Sequence, residues 1–130
     1  MDEPCPLCTA AGLADTLAAN QHAVAFFDGY PVSPGHALIV SRRHVEHLFE
    51  LSRDEQSSLW SLLPAVKEAI EVHHSPSGFN IGVNVGTAAG QTVGHVHVHV
   101  IPRYEGDSDD PRGGVRWVLP ARADYWSSRG

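Results

Sequence analysis

The pattern of apolar and polar residues is typical of β-strands in four segments of this chain: two alternate with a period of two, and two are short apolar runs bounded by turns. In residues 79–85, Phe, Ile and Val alternate with Asn and Gly, which predicts a half-buried strand. The same alternation predicts a strand over residues 95–101, and short apolar runs next to turns predict strands over residues 22–28 and 36–40. Pro102 is expected to end the last of them.

A longer period between residues 53 and 74 predicts an amphipathic helix. Leucine, valine and isoleucine recur there at helical spacing. Ser52 and Glu55 form a capping-box pattern at its start. Pro64 lies inside the pattern and is expected to kink the helix, because proline lacks a backbone donor.

Strands joined by short turns, with one long helix inserted, predict an α+β fold with a mostly antiparallel sheet. Because no repeat or linker interrupts the 130 residues, we expect a single domain, 1–130. Its core spans about residues 5–103. Residues 104–130 are an acidic loop and a C-terminal tail, in which the apolar patch 117–119 is either a short strand or a docked segment.

Composition narrows the function classes. The chain is 42% hydrophobic, 18% charged and has a formal charge of −6, which is typical of a globular protein and argues against binding nucleic acid or membranes through net charge. It has no apolar run of membrane-spanning length and no signal-like start, so the expected location is the cytoplasm.

Histidine is the unusual component, with nine residues in the chain. The most distinctive segment reads His95-Val96-His97-Val98-His99-Val100. On a strand, the three imidazoles would share one face and the three valines the other. The valines suit a core, whereas the imidazoles need another explanation.

Three explanations of the imidazole face differ in their chemistry. The first is a solvated polar face, which is disfavoured because such faces usually carry residue types other than histidine. A single metal bound by all three is disfavoured, because His95 and His99 would lie about 13 Å apart, whereas ligands of one zinc ion lie within about 3–4 Å of each other. The third is a division of roles, with His97 as a nucleophile toward phosphorus. Glycines, Thr92 and Gln91 in the loop before the strand are suited to binding phosphate oxygens.

Both cysteines lie in one Cys5-Pro6-Leu7-Cys8 motif. In a reducing compartment this spacing indicates a metal site or a redox pair. The redox interpretation needs a strand immediately before the motif, for which there is no room, so metal binding is favoured. Two thiols without a function remain the alternative.

Residues 90–103 resemble the signature of the histidine triad (HIT) family, in which three histidines alternate with apolar residues. Residues 25–28, 33–40 and 79–84 resemble, in order and spacing, the family's nucleoside-contacting strand, its proline–glycine–histidine strand and its asparagine-bearing strand. The resemblance implies a HIT-like fold: a mostly antiparallel sheet of about five strands, one long helix and a short N-terminal helix.

The resemblance also implies a nucleotide hydrolase that cleaves at the α-phosphate of nucleotide conjugates, either nucleoside phosphoramidates or dinucleotide polyphosphates. His97 matches the nucleophile that forms a covalent nucleotidyl intermediate. His99 matches the third triad member and His36 the upstream histidine of the supporting network. Histidine rather than glutamine at position 99 favours the hydrolase branches.

Substrate contacts follow from the same resemblance. Asp28 matches the residue that binds ribose hydroxyls, and Asn84, Gln91 and Thr92 match residues that contact the phosphate or the leaving group. The expected substrate is a purine nucleotide, and the expected assembly is a homodimer. The sequence identifies neither the base nor the leaving group.

Many bacterial members bind structural zinc through two cysteines and two histidines. The matching residues here are Cys5, Cys8, His44 and His95. Two thiolates and two imidazoles make a closed tetrahedral site with no open position for catalysis.

Two other functions remain open on the sequence alone. One is a nucleotide-binding regulatory module without significant turnover. The other is a zinc-stabilised interaction protein.

Overall fold

A five-stranded antiparallel sheet forms the centre of the molecule. The computed structural model describes residues 5–13 and 15–127. The strands are β1 (Ala18–Ala19), β2 (Ala23–Phe27), β3 (Ala37–Ser41), β4 (Gly78–Gly82) and β5 (His97–Arg103). Their order across the sheet is β1-β2-β3-β5-β4, and every neighbouring pair is antiparallel. This confirms the predicted α+β class and the number of strands.

Four α-helices and three short 3-10 turns surround the sheet within the described residues. The helices are α1 (Pro6–Leu13), α2 (Arg53–Ser61), α3 (Leu63–Glu71) and α4 (Pro120–Ala123). The 3-10 turns are Leu48–Glu50, Thr87–Ala89 and Gly114–Val118. Across the described part of the chain, no helix has the length and apolar character needed to cross a membrane.

The long helix expected over residues 53–74 is divided into α2 and α3. Pro64 occupies the first turn of α3, where its missing N–H leaves no helical hydrogen bond unmade. Its effect is therefore a break at Leu62 rather than a kink within one helix. The capping box at the start of α2 is confirmed: Ser52 Oγ accepts from the Glu55 amide at 3.1 Å, and Glu55 Oε1 accepts from the Ser52 amide at 2.9 Å.

The two faces of the sheet are covered by different elements. One face packs against α2 and α3 and contains the three valines of the histidine segment, which are buried as predicted. The other face packs against α1, through Leu7, Phe26 and Leu38. The histidines of β5 lie on this second face, beside α1.

β5 begins and ends two residues later than the sequence predicted. It starts at His97, because the Val96 amide donates to Val45 O at 3.0 Å rather than to a neighbouring strand. His95 therefore lies outside the strand. Pro102 lies inside it. Its carbonyl accepts from the hydroxyl of Ser33, which precedes the start of β3 at Ala37, so the missing N–H faces a position that β3 does not reach.

The apolar patch at residues 117–119 forms no strand. Residues Gly114–Val118 make a 3-10 turn that packs beside β4, and α4 follows directly. The Arg116 guanidinium donates to the carbonyls of Ala123 and Arg122 at 2.8 and 2.9 Å. The tail is thus a small folded unit docked on the sheet, which agrees with the docked alternative.

Candidate active site and candidate metal centre

Sheet register places the catalytic candidates on one face. His97 pairs with Val40 and His99 with Leu38, so both imidazoles lie on the α1 face. His36 immediately precedes β3 and Asp28 immediately follows β2, and the Asp28 amide donates to the His36 carbonyl at 2.9 Å. Four polar side chains from three strands therefore meet at one end of this face.

His97 carries a lone pair fixed on Nε2. Its Nδ1 lies 2.7 Å from the His95 carbonyl oxygen, which can only accept a hydrogen bond, so the ring hydrogen is on Nδ1. The residue is 8% exposed. An imidazole in this tautomer presents a nucleophilic nitrogen at Nε2.

His36 and His99 form a hydrogen-bonded pair with a definite direction. The Val32 amide donates to His36 Nδ1 at 3.1 Å, so the hydrogen of neutral His36 is on Nε2. His36 Nε2 lies 3.0 Å from His99 Nδ1 and donates to it. Neutral His99 therefore keeps its own hydrogen on Nε2, and its ring centroid lies 5.0 Å from that of His97.

The electrostatics of this pair favour the neutral rings in the absence of substrate. Burial lowers the pKa of His36 below its ordinary value, and the Asp28 carboxylate opposes that shift. Burial also lowers the pKa of His99, with His97 and His36 acting in the same direction and Asp28 against it. Asp28 is the negative charge that eases protonation of both rings.

A cleft of about 580 Å³ opens between α1 and this face; we call it the α1 cleft. Its polar lining includes Asp28, Asn84, Thr92, His97 and His99. Its apolar lining includes Leu7 of α1 and Phe26 and Leu38 of the sheet. The cleft therefore has an apolar region suited to a planar ring and a polar region suited to phosphate.

Gln91 lies outside the lining of the α1 cleft. Its Oε1 accepts from the Gly86 amide at 2.8 Å, and its Nε2 donates to the Glu46 and Val93 carbonyls at 2.7 and 2.9 Å. These bonds hold the loop that carries Thr92. The predicted contact of Gln91 with phosphate stays a prediction.

The two cysteines meet two histidines on the same side of the sheet. Cys5 Sγ lies 3.4 Å from His95 Nδ1, and Cys8 Sγ lies 3.3 Å from both His95 Nδ1 and His44 Nδ1. All four ligand atoms lie within 4.8 Å of one another. These separations fit the edges of a tetrahedron around an ion at about 2.0–2.3 Å.

The tautomers of this cluster also suit a metal. His95 Nε2 donates to Ser41 O at 2.7 Å and His44 Nε2 donates to Gly94 O at 2.8 Å. Each ring therefore presents an Nδ1 lone pair toward the thiols, which is the arrangement that backbone carbonyls impose on metal-bound histidines.

Asp28, His36 and His99 form a second group whose ligand atoms lie close together. Its tautomers are unsuited to a metal, because the nitrogen of His36 that faces the group carries the hydrogen. The hydrogen bonds therefore distinguish two clusters on one face of the sheet. The cysteine-containing cluster is suited to bind a metal, and the cluster of Asp28, His36 and His99 is suited to transfer protons.

Sequence reasoning missed three contributors to this region. The Val32 amide and the Ser41 carbonyl fix histidine tautomers, and backbone groups leave no sequence signal. Leu7 lines the α1 cleft, although within the sequence it is only a spacer between two cysteines. A second cleft beside Trp117 was also missed.

Comparison with known proteins places this geometry in a family. The model of the HIT domain matches residues 13–106. An uncharacterized HIT-like protein of Methanocaldococcus jannaschii is 41% identical over 98 residues, 74% of each chain. The asymmetrical bis(5'-nucleosyl)-tetraphosphatase of Schizosaccharomyces pombe is 43% identical over 83 residues, which are 64% of this chain and 46% of that protein.

A crystal structure agrees with the sequence comparisons. A HIT family protein from Bacillus anthracis superposes with a TM-score of 0.72 and 34% identity, covering 82% of this chain and 77% of that one. All five strands and the segment with the alternating histidines lie within residues 13–106, the range that the HIT domain model matches. This chain belongs to the HIT domain family.

Proposed function

We propose that this protein hydrolyses nucleotide conjugates at the α-phosphate through a covalent intermediate on His97. One observation carries the proposal: the hydrogen bond from His97 Nδ1 to the His95 carbonyl leaves a lone pair on Nε2, in a cleft that is also lined by His99, the hydrogen-bonded partner of His36. The relative from Schizosaccharomyces pombe, a bis(5'-nucleosyl)-tetraphosphatase, also acts on a nucleotide conjugate.

The first step transfers the nucleotidyl group to His97. The Nε2 lone pair attacks the α-phosphorus, and the electron pair of the breaking bond goes to the leaving group. The leaving group takes the proton from His99 Nε2. The His36–His99 pair has first taken up one proton beside the anionic substrate, at His36 Nδ1 in place of the hydrogen bond from Val32, and as His99 gives up its proton the hydrogen on His36 Nε2 moves to His99 Nδ1. The pair is then neutral, and the positive charge resides on the nucleotidyl-imidazolium.

Water completes the cycle. The neutral His36–His99 pair accepts a proton from water as the oxygen attacks phosphorus, and the electron pair of the P–N bond returns to His97 Nε2. The products are a nucleoside monophosphate and a protonated pair, ready for the next turnover. Thr92 and Asn84 line the same cleft and are suited to binding the phosphate oxygens.

Substrate orientation follows from the polarity of the α1 cleft. The base would pack between Leu7 and Phe26, and the ribose hydroxyls would bind Asp28. Apolar walls on both sides of a planar group suit a purine, whose two fused rings bury a large area. His97 then lies at the phosphate end.

We also propose that Cys5, Cys8, His44 and His95 bind structural zinc, as in the bacterial zinc-containing members. Two thiolates and two neutral imidazoles complete a closed site, so the metal would tie α1 to the sheet without taking part in the reaction. Such a site requires reduced thiols, which suits the cytoplasm, the location that we propose.

A homodimer is the assembly that we propose. β4 is an edge strand, and Ile81 on it is 40% exposed. Leu63 and Pro64 of α3 and Phe79 of β4 lie beside Ile81 and form an apolar surface. An open strand edge bordered by an apolar helix surface is suited to pairing with a second copy.

The decisive experiment detects the intermediate. Adenosine 5'-phosphoramidate labelled at phosphorus should give AMP as the product and an acid-labile label on the protein, and His97→Ala should abolish both. His73→Ala, on an exposed histidine in the turn after α3, is the matched control and should behave like the unaltered chain.

A binding module is the second candidate, because the fixed tautomers would equally orient a bound nucleotide. Saturable nucleotide binding without label transfer in the unaltered chain would establish that function and contradict hydrolysis.

A further inference from the structure

Residues 33–36 form a tight turn immediately before β3; we call it the histidine turn. Its closing hydrogen bond runs from the His36 amide to the Ser33 carbonyl at 3.1 Å, and Gly35 has a φ of +87°. Proline at the second position and a glycine with positive φ at the third are typical of a type II turn. The turn therefore ends on His36, which is buried and belongs to the His36–His99 pair.

Two hydroxyl groups bond the histidine turn to the end of β5 and the residue after it. Ser33 Oγ donates to the Pro102 carbonyl at 2.7 Å. The Tyr104 hydroxyl donates to the Pro34 carbonyl at 2.5 Å. The Pro34 carbonyl belongs to the central peptide of the turn, whose orientation distinguishes type II from type I, so the bond from Tyr104 favours type II.

The histidine turn also packs against the end of α3 and the turn that follows it. A Cβ atom built on Gly35 would lie 3.1 Å from both His74 Cδ2 and Ile70 Cγ2, so a larger residue would require these neighbours to move. The histidine turn therefore has no room to shift toward α3. Its position is set by these contacts together with the hydrogen bonds of Ser33 and Tyr104.

Val32, the residue before the histidine turn, makes the hydrogen bond that bears on protonation. Its amide donates to His36 Nδ1 at 3.1 Å. The neutral pair can accept a further proton only at this nitrogen, because His36 Nε2 already carries the hydrogen that is donated to His99. Proton uptake therefore requires the Val32 amide to move away, and it moves less easily when the neighbouring Ser33 is bonded to β5.

The charged and titratable groups around the pair act in both directions. Asp28, which follows β2, lies 3.4 Å from the pair and favours its protonated form. His97 of β5 faces the pair and disfavours a second positive charge beside its own. His74 and Tyr104 are titratable side chains that contact the histidine turn itself. The Val32 amide therefore opposes Asp28, and the balance between the two decides whether the empty cleft contains a cation.

We propose that Ser33 and Tyr104 are positioning residues that keep the pair neutral until an anionic substrate binds. Their hydroxyls hold the histidine turn, and the turn holds the Val32 amide on His36 Nδ1. This inference rests on the proposed hydrolase function. Because a cation attracts phosphate, a pair that was protonated in the empty cleft would also retain the nucleoside monophosphate product. The two hydroxyls therefore favour release of the product.

Removal of one hydroxyl at a time tests the proposal. Ser33→Ala and Tyr104→Phe should each make the pair titrate at a higher pH in the nucleotide-free protein, because the Val32 amide is then held less firmly. Nitrogen NMR of the imidazoles follows the titration ring by ring and separates it from that of His74. The alkaline limb of kcat/KM should move in the same direction, which is opposite to the shift expected from loss of the Asp28 charge.

Binding of AMP gives a second measurement, which needs no turnover. At pH 8, where the pair is mostly neutral, the affinity for AMP depends on the fraction of chains in which the pair is protonated. Ser33→Ala and Tyr104→Phe should each lower the calorimetric Kd for AMP roughly threefold at this pH. The difference should disappear as the pH is lowered, because the pair is then protonated in every variant.

Two controls separate the position of the hydroxyl from its mere loss. Ser33→Thr keeps a hydroxyl at the histidine turn and should behave like the unaltered chain. Ser61→Ala removes a hydroxyl that donates to the Ser58 carbonyl at 3.1 Å, at the end of α2. It should change neither the titration of the pair nor the Kd for AMP.

The outcomes distinguish the two proposals. If the unaltered chain hydrolyses adenosine 5'-phosphoramidate but neither variant changes the titration of the pair or the Kd for AMP, the positioning role is wrong and the hydrolase stands. If the unaltered chain turns over no substrate, the hydrolase is wrong, and the titration and the Kd values decide the positioning role alone. If Ser33→Ala fails to fold, Tyr104→Phe decides it, since that change keeps the ring and removes one oxygen.

Discussion

His36 Nε2 lies 3.0 Å from His99 Nδ1 and 3.4 Å from Asp28 Oδ2, so one nitrogen lies within reach of both an imidazole and a carboxylate. In the neutral pair the hydrogen on this nitrogen is directed to His99, because Val32 occupies the other nitrogen of His36. Asp28 therefore acts on the pair through its charge. The protonation of His99 on β5 therefore depends on Asp28, which follows β2.

Asp28→Asn should shift the alkaline limb of the pH profile of kcat/KM toward lower pH. Asp28 opposes the lowering of the pKa at both His36 and His99, so removal of its charge lets both pKa values fall further. The pair then loses its proton at a lower pH, and the proposed proton donor is lost with it. The measurement is kcat/KM of a phosphoramidate between pH 5 and 9.

Asp109→Asn, on the exposed acidic loop, is the control for this experiment and should leave the limb in place. An unchanged alkaline limb in Asp28→Asn, with only KM altered, would limit Asp28 to ribose binding.

The free energy of unfolding should depend on pH in two separate ranges. The pKa values of His36, His99 and His95 are lowered by burial, so the unfolded chain binds protons more readily and stability falls as the pH drops below about 6.5. The pKa values of Glu55 and Asp107 are lowered to about 2 by their arginine partners, so their contributions are lost between about pH 4.5 and 2.

Urea unfolding at a series of pH values measures both ranges. His36→Asn should flatten the slope below about 6.5, whereas Glu55→Gln should flatten only the slope below about 4.5. A His36→Asn slope equal to that of the unaltered chain would contradict the buried, neutral assignment of this ring.

Removal of metal should destabilise the chain. If zinc binds Cys5, Cys8, His44 and His95, chelation leaves two thiols, an exposed imidazole and a buried imidazole without their ion. α1 then keeps only its apolar packing on the sheet. At zinc concentrations 100 to 1,000 times the Kd, the lost stability is about 3–4 kcal/mol. Thermal unfolding with and without chelator, together with metal content, checks this.

Cys8→Ser should bind less than half an equivalent of zinc and show no further change with chelator. His47→Ala, which alters a nearby exposed histidine outside the cluster, should keep full metal content. Equal metal content in Cys8→Ser and His47→Ala would assign the metal elsewhere.

Gln91→Ala should loosen the loop before β5 and lower kcat roughly tenfold, because three hydrogen bonds within 2.9 Å are lost. Hydrogen exchange at the Gly86 amide, which now donates to Gln91 Oε1, should become faster in the nucleotide-free protein. If Gln91 instead contacts the phosphate directly, exchange at Gly86 should differ only when nucleotide is bound.

The sequence predicted the alternation of the histidine segment well, because the valines and imidazoles of β5 fall on opposite faces by strand geometry alone. The different roles of His95 and His97 followed from the family resemblance. The structure shows how they are separated: His95 precedes β5, which begins at His97. Contacts between residues far apart in the sequence could not be predicted. Nothing local shows that Trp117 comes to rest beside His99, more than a dozen residues earlier in the chain.

Leu7 lies between Cys5 and Cys8, is 8% exposed and forms part of the α1 cleft. Any ion held by the two thiols consequently fixes the backbone on both sides of a residue that would touch the nucleoside. Metal binding and nucleotide binding would therefore be coupled through this segment, and the effect of each ligand on the affinity for the other must be equal. A nucleotide that binds more tightly to the metal-loaded chain must raise the affinity of that chain for the metal by the same factor.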